Sequence, residues 1–285
     1  MPPTLLGVAQ TCQNDVPWDD ASLYAFVVDG VQIGFVPDAV ALAVRDYMQS
    51  DAAGAGALVV QARPSGHVLT FSPTCTTHDA RTAAMGELAQ WLRTARKFPD
   101  PLDGWRDEQY AVYGPPAHGS TQATVAFTLE RSACALFGFA TFGVHLTVAG
   151  GITAGDSPLE SIVRECEEEA KLPPNVVRGR LQAAGTITYF YKTNIGLRQP
   201  EMQYIYDLPL PPDVSLVPGD GEAESFELMT RDEIMALMFA GEFKPNCTLV
   251  LLDFFVRHGW LTAESEHDYV AIVALLHTPL RVPTP

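Results

Sequence analysis

The sequence predicts an α+β protein with two domains, because it contains both strand-like and helix-like segments and one Gly- and Pro-rich linker interrupts them. Its 285 residues are enough for two buried cores. Hydrophobic residues make up 47% of the chain and charged residues 18%, which is typical of a globular fold. The linker is the Gly- and Pro-rich stretch Gly114–Ser120, and we predict the domain boundary between residues 116 and 117.

The first domain, residues 1–116, is expected to be a small α/β unit. Two apolar runs, 23–28 and 31–36, flank Asp29-Gly30, which is a strong hairpin signal. The other elements predicted here are a helix capped by Asp38 that runs through Met48, strands over 57–61 and 67–71, a helix over 78–97 and a strand over 110–113.

The second domain, residues 117–285, is expected to begin its sheet with a strand over 139–148 that runs directly into Gly150. Hydrophobic patterning predicts the elements beyond residue 172. They are strands over 180–192, 202–208 and 226–229, and helices over 232–239, 247–258 and 269–276.

The stretch Gly150–Leu172 is unlike the rest of the chain. After a glycine turn, Ser157 suits a helix N-cap, Pro158 the first helical position and Glu160 the carboxylate of a capping box. Apolar residues at helical spacing then predict one buried stripe. These residues are Leu159, Ile162, Val163, Cys166 and Ala170.

Three carboxylates, Glu165, Glu168 and Glu169, lie away from the apolar stripe and meet on one patch of this helix. Such like charges repel one another, so the patch is either a solvated acidic face or a cation site. Magnesium is commonly held by a few carboxylates together with water and substrate phosphate. The glycine turn, the cap and the Arg164-Glu165 step favour the metal site.

The same stretch resembles the Nudix box, in which a glycine and a glutamate precede an Arg-Glu-apolar-any-Glu-Glu-any-Gly-apolar pattern. Gly150 matches the first position, and the segment from Arg164 to Leu172 matches the later ones in register. Asp156 stands where a glutamate is expected, and Lys171 where a glycine is expected. The resemblance implies a mixed sheet sandwiched by helices and the hydrolysis of an organic diphosphate with magnesium or manganese. It places the metal ligands on Glu165, Glu168 and Glu169.

The flanking sequence resembles the thiamine-diphosphate-related Nudix proteins of fungi and plants, in which a small domain of unknown function precedes the Nudix domain. The matching segments are GWRDEQYAVYG, ERSACALFGFATFGVHLT, PEMQYIYDLPLP, GDGEAESFELM and GEFKPNCTLVLLDFFVRHG. This resemblance covers nearly the whole chain. It implies hydrolysis of thiamine diphosphate, or of its oxidised analogues oxo- and oxythiamine diphosphate, to the monophosphate plus phosphate.

One departure from that family lies just before the box. Members continue from GVHL through a strand, a loop and a second strand rich in basic residues before they reach VAGG. In this chain Val144–Thr147 is followed at once by Val148-Ala149-Gly150. We therefore expect an inner piece of the sheet, and arginines near the substrate, to be absent.

Several residues are expected to support catalysis. Gly150 and Gly151 would let the backbone approach the substrate phosphates, and Arg164 would organise the glutamates by charge-assisted hydrogen bonds. The general base is sought in the later loop, where the candidates are Glu222 and Glu224, with Glu201 behind them.

Other polar and aromatic residues carry weaker hypotheses. Trp105 and Arg106 could stack on a thiamine ring, although packing is the commoner role of such a pair. His118 and His145 have no recognisable triad partner and receive no role, and Cys166 is expected in the core.

Composition limits the partners. A net charge of −16 argues against nucleic-acid or anionic-membrane binding, because both would be repelled. The first 20 residues lack signal-peptide or transit-peptide features, and five cysteines without a CxxC pair fit a reducing compartment. We expect a cytoplasmic enzyme that acts on a small-molecule organic diphosphate, with its oligomeric state left open.

Two alternatives stay open beside the thiamine-type diphosphatase. One is the same chemistry on a nucleotide substrate such as ADP-ribose. The other is a catalytically impaired ligand-binding paralogue, which the missing piece of the sheet suggests.

Overall fold

The computed structural model describes residues 3–63, 66–146 and 148–285. Its first sheet has the strand order β2-β1-β4-β3. The strands are β1 (Tyr24–Val28), β2 (Val31–Val36), β3 (Leu58–Arg63) and β4 (Gly66–Phe71), so the predicted hairpin at Asp29-Gly30 is confirmed. Pro64 and Ser65, between the predicted strands over 57–61 and 67–71, lie outside the described residues.

Two helices that pack in the core of this sheet, α2 (Asp38–Met48) and α3 (His78–Thr94), follow the sequence pattern closely. Two short helices, α1 (Leu5–Gln10) and α4 (Pro99–Leu102), were not expected, and α1 packs against the second sheet. Asp38 was expected to cap α2, but it is the first helical residue, and Pro37 occupies the cap position without a side-chain hydrogen bond. α1 and α4 are too short to leave a periodic signal in the sequence, which is why the sequence did not predict them.

A long hairpin occupies the region where a linker was predicted. Its strands are β5 (Gln109–Pro116) and β6 (Ala123–Glu130), and the short helix α5 (Arg131–Phe137) follows. The first three residues of the expected linker are therefore part of a strand. The domain boundary between residues 116 and 117, which falls at the turn of this hairpin, stays a prediction.

The second sheet has the order β8-β7-β10-β9 and mixes parallel and antiparallel pairs. Its strands are β7 (Thr141–His145), β8 (Ala149–Gly151), β9 (Gln182–Lys192) and β10 (Arg198–Asp207). The helices that belong to it are α6 (Pro158–Ala170), α7 (Pro174–Arg178), α8 (Arg231–Ala240), α9 (Pro245–Arg257) and α10 (Tyr269–Leu276). Residues 226–229 form no strand, so that prediction is wrong.

Two hydrophobic cores lie on opposite faces of this sheet. On one face Ile187, Tyr189 and Ile205 pack with α1, α8, α9 and α10. On the other face Val144 packs with the apolar stripe of α6 and with α7. Cys166 is buried in that second core as predicted, and its burial raises the pKa of its thiol to about 12. The sheet is therefore sandwiched by helices, as expected.

The helix α6 begins as the sequence predicts and ends in a way that explains one unusual residue. The Ser157 hydroxyl accepts the Glu160 N–H at 3.2 Å. The Glu160 carboxylate was expected to reach back to the cap, but it pairs with Arg178 at 2.9 Å instead. Lys171, which stands where the Nudix pattern has glycine, adopts a left-handed conformation with φ of 53°. That backbone conformation favours glycine, so Lys171 retains the geometry of the motif at some cost in stability.

β7 and β8 form a short antiparallel hairpin at the edge of the sheet. Gly143 lies opposite Gly151 and Val144 opposite Gly150, and the Leu146 N–H donates to the Val148 carbonyl at 2.8 Å. Thr147 lies outside the described residues. The absence of an inner strand-loop-strand stays a comparison with the family pattern, while the chain itself closes the gap with this hairpin.

One buried arginine fastens the N-terminal segment to the second sheet. Arg198 on β10 is 5% exposed and donates to Asp15 at 3.0 Å and to Asp20 at 2.5 Å. Among the residues that the structure describes, none of the helices is long and apolar enough to cross a membrane.

We expect Arg198→Met to lower the free energy of unfolding by about 2–3 kcal/mol, because it leaves two carboxylates without their cation. Urea denaturation would measure the change. Arg178→Gln is the matched control, since it breaks the exposed pair with Glu160 and should leave the midpoint nearly unchanged. Equal midpoints for the two variants would show that the Arg198 pairs contribute little.

Candidate active site

A cleft of about 810 Å³ opens where the edge strand β8 meets the N-terminus of β5. Its walls come from distant parts of the chain, namely the segment before β5, α5, the α6 helix, the loop around residue 220 and the start of α9. Six carboxylates line it, from Glu108, Glu165, Glu168, Glu201, Asp220 and Glu222. Four cationic side chains accompany them, from Arg106, Arg131, Arg164 and Lys244. This size is typical of a site for a small organic ligand.

The box glutamates lie at or beside the β8 end of the cleft, and burial opposes the negative charge of Glu165 and Glu169. Burial, with the neighbouring Glu168, raises the pKa of Glu165, and the Arg164 guanidinium opposes the shift. Burial and then Glu165 raise the pKa of Glu169 to about 7, and the Ala149 backbone N–H opposes this. Glu165 and Glu168 line the cleft, whereas the half-buried Glu169 lies beside it, next to β8.

Arg164 connects the glycine turn to the box glutamates. It donates to the Asp156 carboxylate at 2.5 Å and to Glu165 Oε1 at 3.3 Å. Asp156, which replaces the first glutamate of the Nudix pattern, therefore holds the arginine in place. This geometry agrees with the expectation that Arg164 organises the glutamates.

Gly150 and Gly151 leave room for side chains that form the site. A Cβ at Gly150 would overlap the Glu165 carboxylate, and a Cβ at Gly151 would overlap the Tyr110 hydroxyl. Both glycines have ordinary negative φ values, so space rather than backbone conformation requires glycine here. Backbone contact with substrate phosphates stays a prediction for these two residues.

The loop after β10 brings further carboxylates to the same end of the cleft. The Gly219 N–H donates to the Glu169 carbonyl at 2.9 Å, which fixes the loop on the C-terminal end of α6. Asp220 and Glu222 then line the cleft, and the Glu222 carboxylate approaches Arg106 at 3.4 Å. Of the two loop candidates for general base, Glu222 reaches the cleft, whereas Glu224 is exposed to solvent outside it.

The opposite wall depends on Glu130, a carboxylate with 2% exposure. It accepts the backbone N–H groups of Arg106, Glu108 and Ser132, at 3.1, 3.1 and 3.4 Å. This buried carboxylate ties the segment before β5 to the first turn of α5. Arg106, Glu108 and Arg131 therefore lie together in the cleft.

Arg131 is the functional candidate that the sequence did not reveal. Its guanidinium pairs with the Glu108 carboxylate at 3.0 Å, and the Thr153 hydroxyl donates to the other oxygen of Glu108 at 3.0 Å. Because residues 106–131 precede the box, they supply cations where the family pattern had suggested a loss of arginines. Trp105 stacks under Arg93 and donates to Asp107, so it faces away from the cleft.

The donor set fits a divalent cation in its chemistry and charge. The carboxylates in the cleft outnumber the cationic side chains by two. Burial, and then repulsion from neighbouring carboxylates, raises the pKa values of Glu165 and Glu169, and a bound cation would oppose both effects. Within residues 3–63, 66–146 and 148–285, no three acidic, His or Cys side chains already surround one point as metal ligands. The box glutamates would thus have to turn toward the ion as it binds.

Comparison with known proteins agrees with this geometry. The family described as a domain of unknown function (DUF4743) matches residues 4–141, and the NUDIX domain matches residues 121–247. The chain is 28% identical over 314 residues to the uncharacterized protein YJR142W of Saccharomyces cerevisiae, covering 95% of this chain and 88% of that protein.

Two relatives from Arabidopsis thaliana carry Nudix names. The chain is 31% identical to "Nudix hydrolase 20, chloroplastic" over 216 residues, which cover 65% of this chain and 55% of that protein. It is 26% identical to "Nudix hydrolase 24, chloroplastic" over 271 residues, which cover 84% of this chain and 69% of that protein.

The chain therefore carries a Nudix domain behind an N-terminal domain of unknown function, as the box and its flanks predicted. The class that this domain defines is the hydrolases that act on diphosphate bonds, and the protein is an enzyme of that class. The thiamine-related subfamily stays a prediction.

We expect Gly150→Ala to lower kcat/KM for any hydrolysed diphosphate by at least about 100-fold, because the new methyl group displaces the Glu165 carboxylate. Steady-state kinetics would measure the loss. Gly155→Ala is a control at a nearby glycine, since an added Cβ meets no atom there, although its φ of 98° strains the turn. Activity of Gly150→Ala above that of Gly155→Ala would contradict the role of this space.

Proposed function

We propose that the protein hydrolyses thiamine diphosphate, or its oxo- and oxythiamine analogues, to the monophosphate and phosphate. The observation that supports this most is a single cleft with two chemically different ends. One end has the box glutamates and arginines that suit a diphosphate, and the other has polar side chains on a sheet that suit an organic ring system.

In this proposal the box glutamates Glu165, Glu168 and Glu169 hold magnesium or manganese. Bound there, the metal would neutralise diphosphate charge and assist the attacking water as a Lewis acid. Arg164 keeps Glu165 in place through its own pair with Asp156. Of the three box glutamates, Glu165 is thus the one that another side chain already positions.

The protein's other groups bind the diphosphate and move the proton. Arg131 and Arg106 approach from the opposite wall and donate hydrogen bonds to phosphate oxygens. Glu222, at the rim between Arg106 and Asp220, accepts the proton of the attacking water as general base. Water adds to the terminal phosphorus, the bridging P–O bond breaks, and the monophosphate leaves with that oxygen.

The cellular setting and partners are part of the same proposal. We propose a cytoplasmic enzyme that binds a small-molecule diphosphate and neither nucleic acid nor membrane, because its charge of −16 disfavours both. The two Arabidopsis relatives are named as chloroplastic, and that designation belongs to those proteins.

A substrate panel tests the proposal. With magnesium present, we expect kcat/KM for the best thiamine-type diphosphate to exceed that for ADP-ribose by at least about 100-fold, because the organic half adds binding energy to the transition state. Released phosphate or nucleoside monophosphate would be quantified for each compound. A preference for ADP-ribose would make the enzyme a nucleotide hydrolase, and no turnover of any diphosphate would identify an impaired binding protein.

Glu168→Gln should lower metal-dependent phosphate release by at least about 100-fold, because it removes one charged oxygen donor from the box. Glu167→Gln is the matched control, since its side chain is equally exposed on the same helix but does not line the cleft. If Glu168→Gln hydrolyses the substrate at the wild-type rate, the box glutamate does not take part in the reaction.

A further inference from the structure

The floor of the cleft, opposite the box glutamates, is a polar surface on two parallel strands. On β7 and β10, Glu201 lies beside Thr141, and Gln203 lies beside Gly143. Alternate residues of a strand share one face, so Glu201 and Gln203 project into the cleft together. A Cβ at Gly143 would overlap the Gln203 amide, so this glycine provides the space that the amide fills.

Glu201 is held in a fixed orientation that leaves one oxygen unused. The Tyr189 hydroxyl and Gln203 Nε2 both donate to its Oε2, the latter at 3.1 Å. Among the described residues, no hydrogen bond is made to its Oε1, and the residue lines the cleft. Burial raises the pKa of Glu201, while the Tyr189 and Gln203 donors favour its charged form. Its free oxygen is thus an acceptor at the base of the cleft.

His145, at the end of β7, lies in the same floor. Its side chain is 6% exposed, and its Nδ1 is buried with no hydrogen-bond partner among the described residues. Burial, with the Lys244 charge, lowers its pKa to about 4, so the imidazole is neutral at neutral pH. An unpaired polar atom this deeply buried is costly unless a ligand or water completes its bonding.

The floor therefore offers an acceptor oxygen on Glu201 and a neutral imidazole on His145. A phosphate would be repelled by the Glu201 carboxylate. An exocyclic amino group can donate to Glu201, and a ring nitrogen can bond to His145. Amino-substituted nitrogen heterocycles have both of these features.

We propose that the cleft floor recognises an amino-substituted nitrogen heterocycle in the organic half of the substrate, with Glu201 accepting the hydrogen bond of its exocyclic amine. The proposal rests on the proposed function, because it assigns the second end of the same cleft. An aminopyrimidine and an adenine share this chemistry, and the experiment separates them.

The test is Glu201→Gln, which changes the polarity of one contact with little change in shape. The new amide oxygen can still accept from Tyr189 and Gln203, which turns the amide N–H₂ toward the ligand. An acceptor is thereby replaced by a donor. A ligand with an oxo group in place of the amine should then bind better than before, relative to the amino compound.

Binding of matched monophosphates would be measured by calorimetry in wild type and Glu201→Gln. The pairs are thiamine and oxythiamine monophosphate, and AMP and IMP. We expect the oxo-to-amino affinity ratio to rise by at least about tenfold in the variant for one pair, since a lost and a gained hydrogen bond both contribute. The pair of monophosphates whose affinity ratio rises shows whether the floor recognises an aminopyrimidine or an adenine.

Glu108→Gln is the matched control, because it also neutralises a half-buried carboxylate of the cleft, on the wall that carries Arg106 and Arg131. It should leave both ratios within about twofold of wild type. Thermal unfolding of both variants checks that the fold is retained. The proposal would be overturned if Glu201→Gln left the oxo-to-amino affinity ratio unchanged in both pairs, or lowered it. It would also be overturned if Glu108→Gln raised the ratio by the same factor.

Hydrolysis of the matching diphosphates separates this proposal from the proposed function. If thiamine-type diphosphates are hydrolysed but Glu201→Gln does not change the oxo-to-amino affinity ratio, the proposed function is supported and Glu201 does not recognise the ring. A shifted ratio without turnover of any diphosphate would show that the floor recognises the ring although the enzyme does not hydrolyse these compounds.

Discussion

The crowding of carboxylates at the edge strand β8 is the constraint on which the site depends. Glu165 occupies the space that Gly150 leaves, and its charge is offset by Arg164, which Asp156 holds in turn. This arrangement keeps carboxylates close together in a cleft whose lining has six carboxylates and four cationic side chains. Burial, and then the neighbouring carboxylates, raises the pKa values of Glu165 and Glu169, so a bound cation would stabilise their charged forms.

The second requirement is a wall that brings positive charge to the substrate, and the N-terminal part of the chain provides it. The buried Glu130 carboxylate binds three backbone N–H groups and so places Arg106 and Arg131 across from the box. The short β7–β8 hairpin contributes no arginine to the cleft. A region that the comparisons describe as a domain of unknown function therefore helps to form the cleft.

Sequence predicted those parts of the structure that are encoded locally. The Asp29-Gly30 hairpin, the Ser157 cap and the apolar stripe of α6 each depend on residues a few positions apart, and all three are present. It missed β6 and α5, because residues 123–137 are apolar without a clear period, and β6 is defined by its pairing with β5. The Glu160 capping box failed because a distant cation, Arg178, forms a bidentate pair with that carboxylate.

The same distinction explains which site residues could be found. The box glutamates and Arg164 belong to one helix, so their spacing reveals them. Glu108, Arg131 and His145 meet only because a buried carboxylate and the β7–β10 register bring separate segments together. His145 in particular has no motif around it, and its significance comes from an unpaired ring nitrogen at the base of a cleft. Reaction chemistry is thus readable from the sequence of this chain, whereas recognition of the organic half depends on strand register and burial.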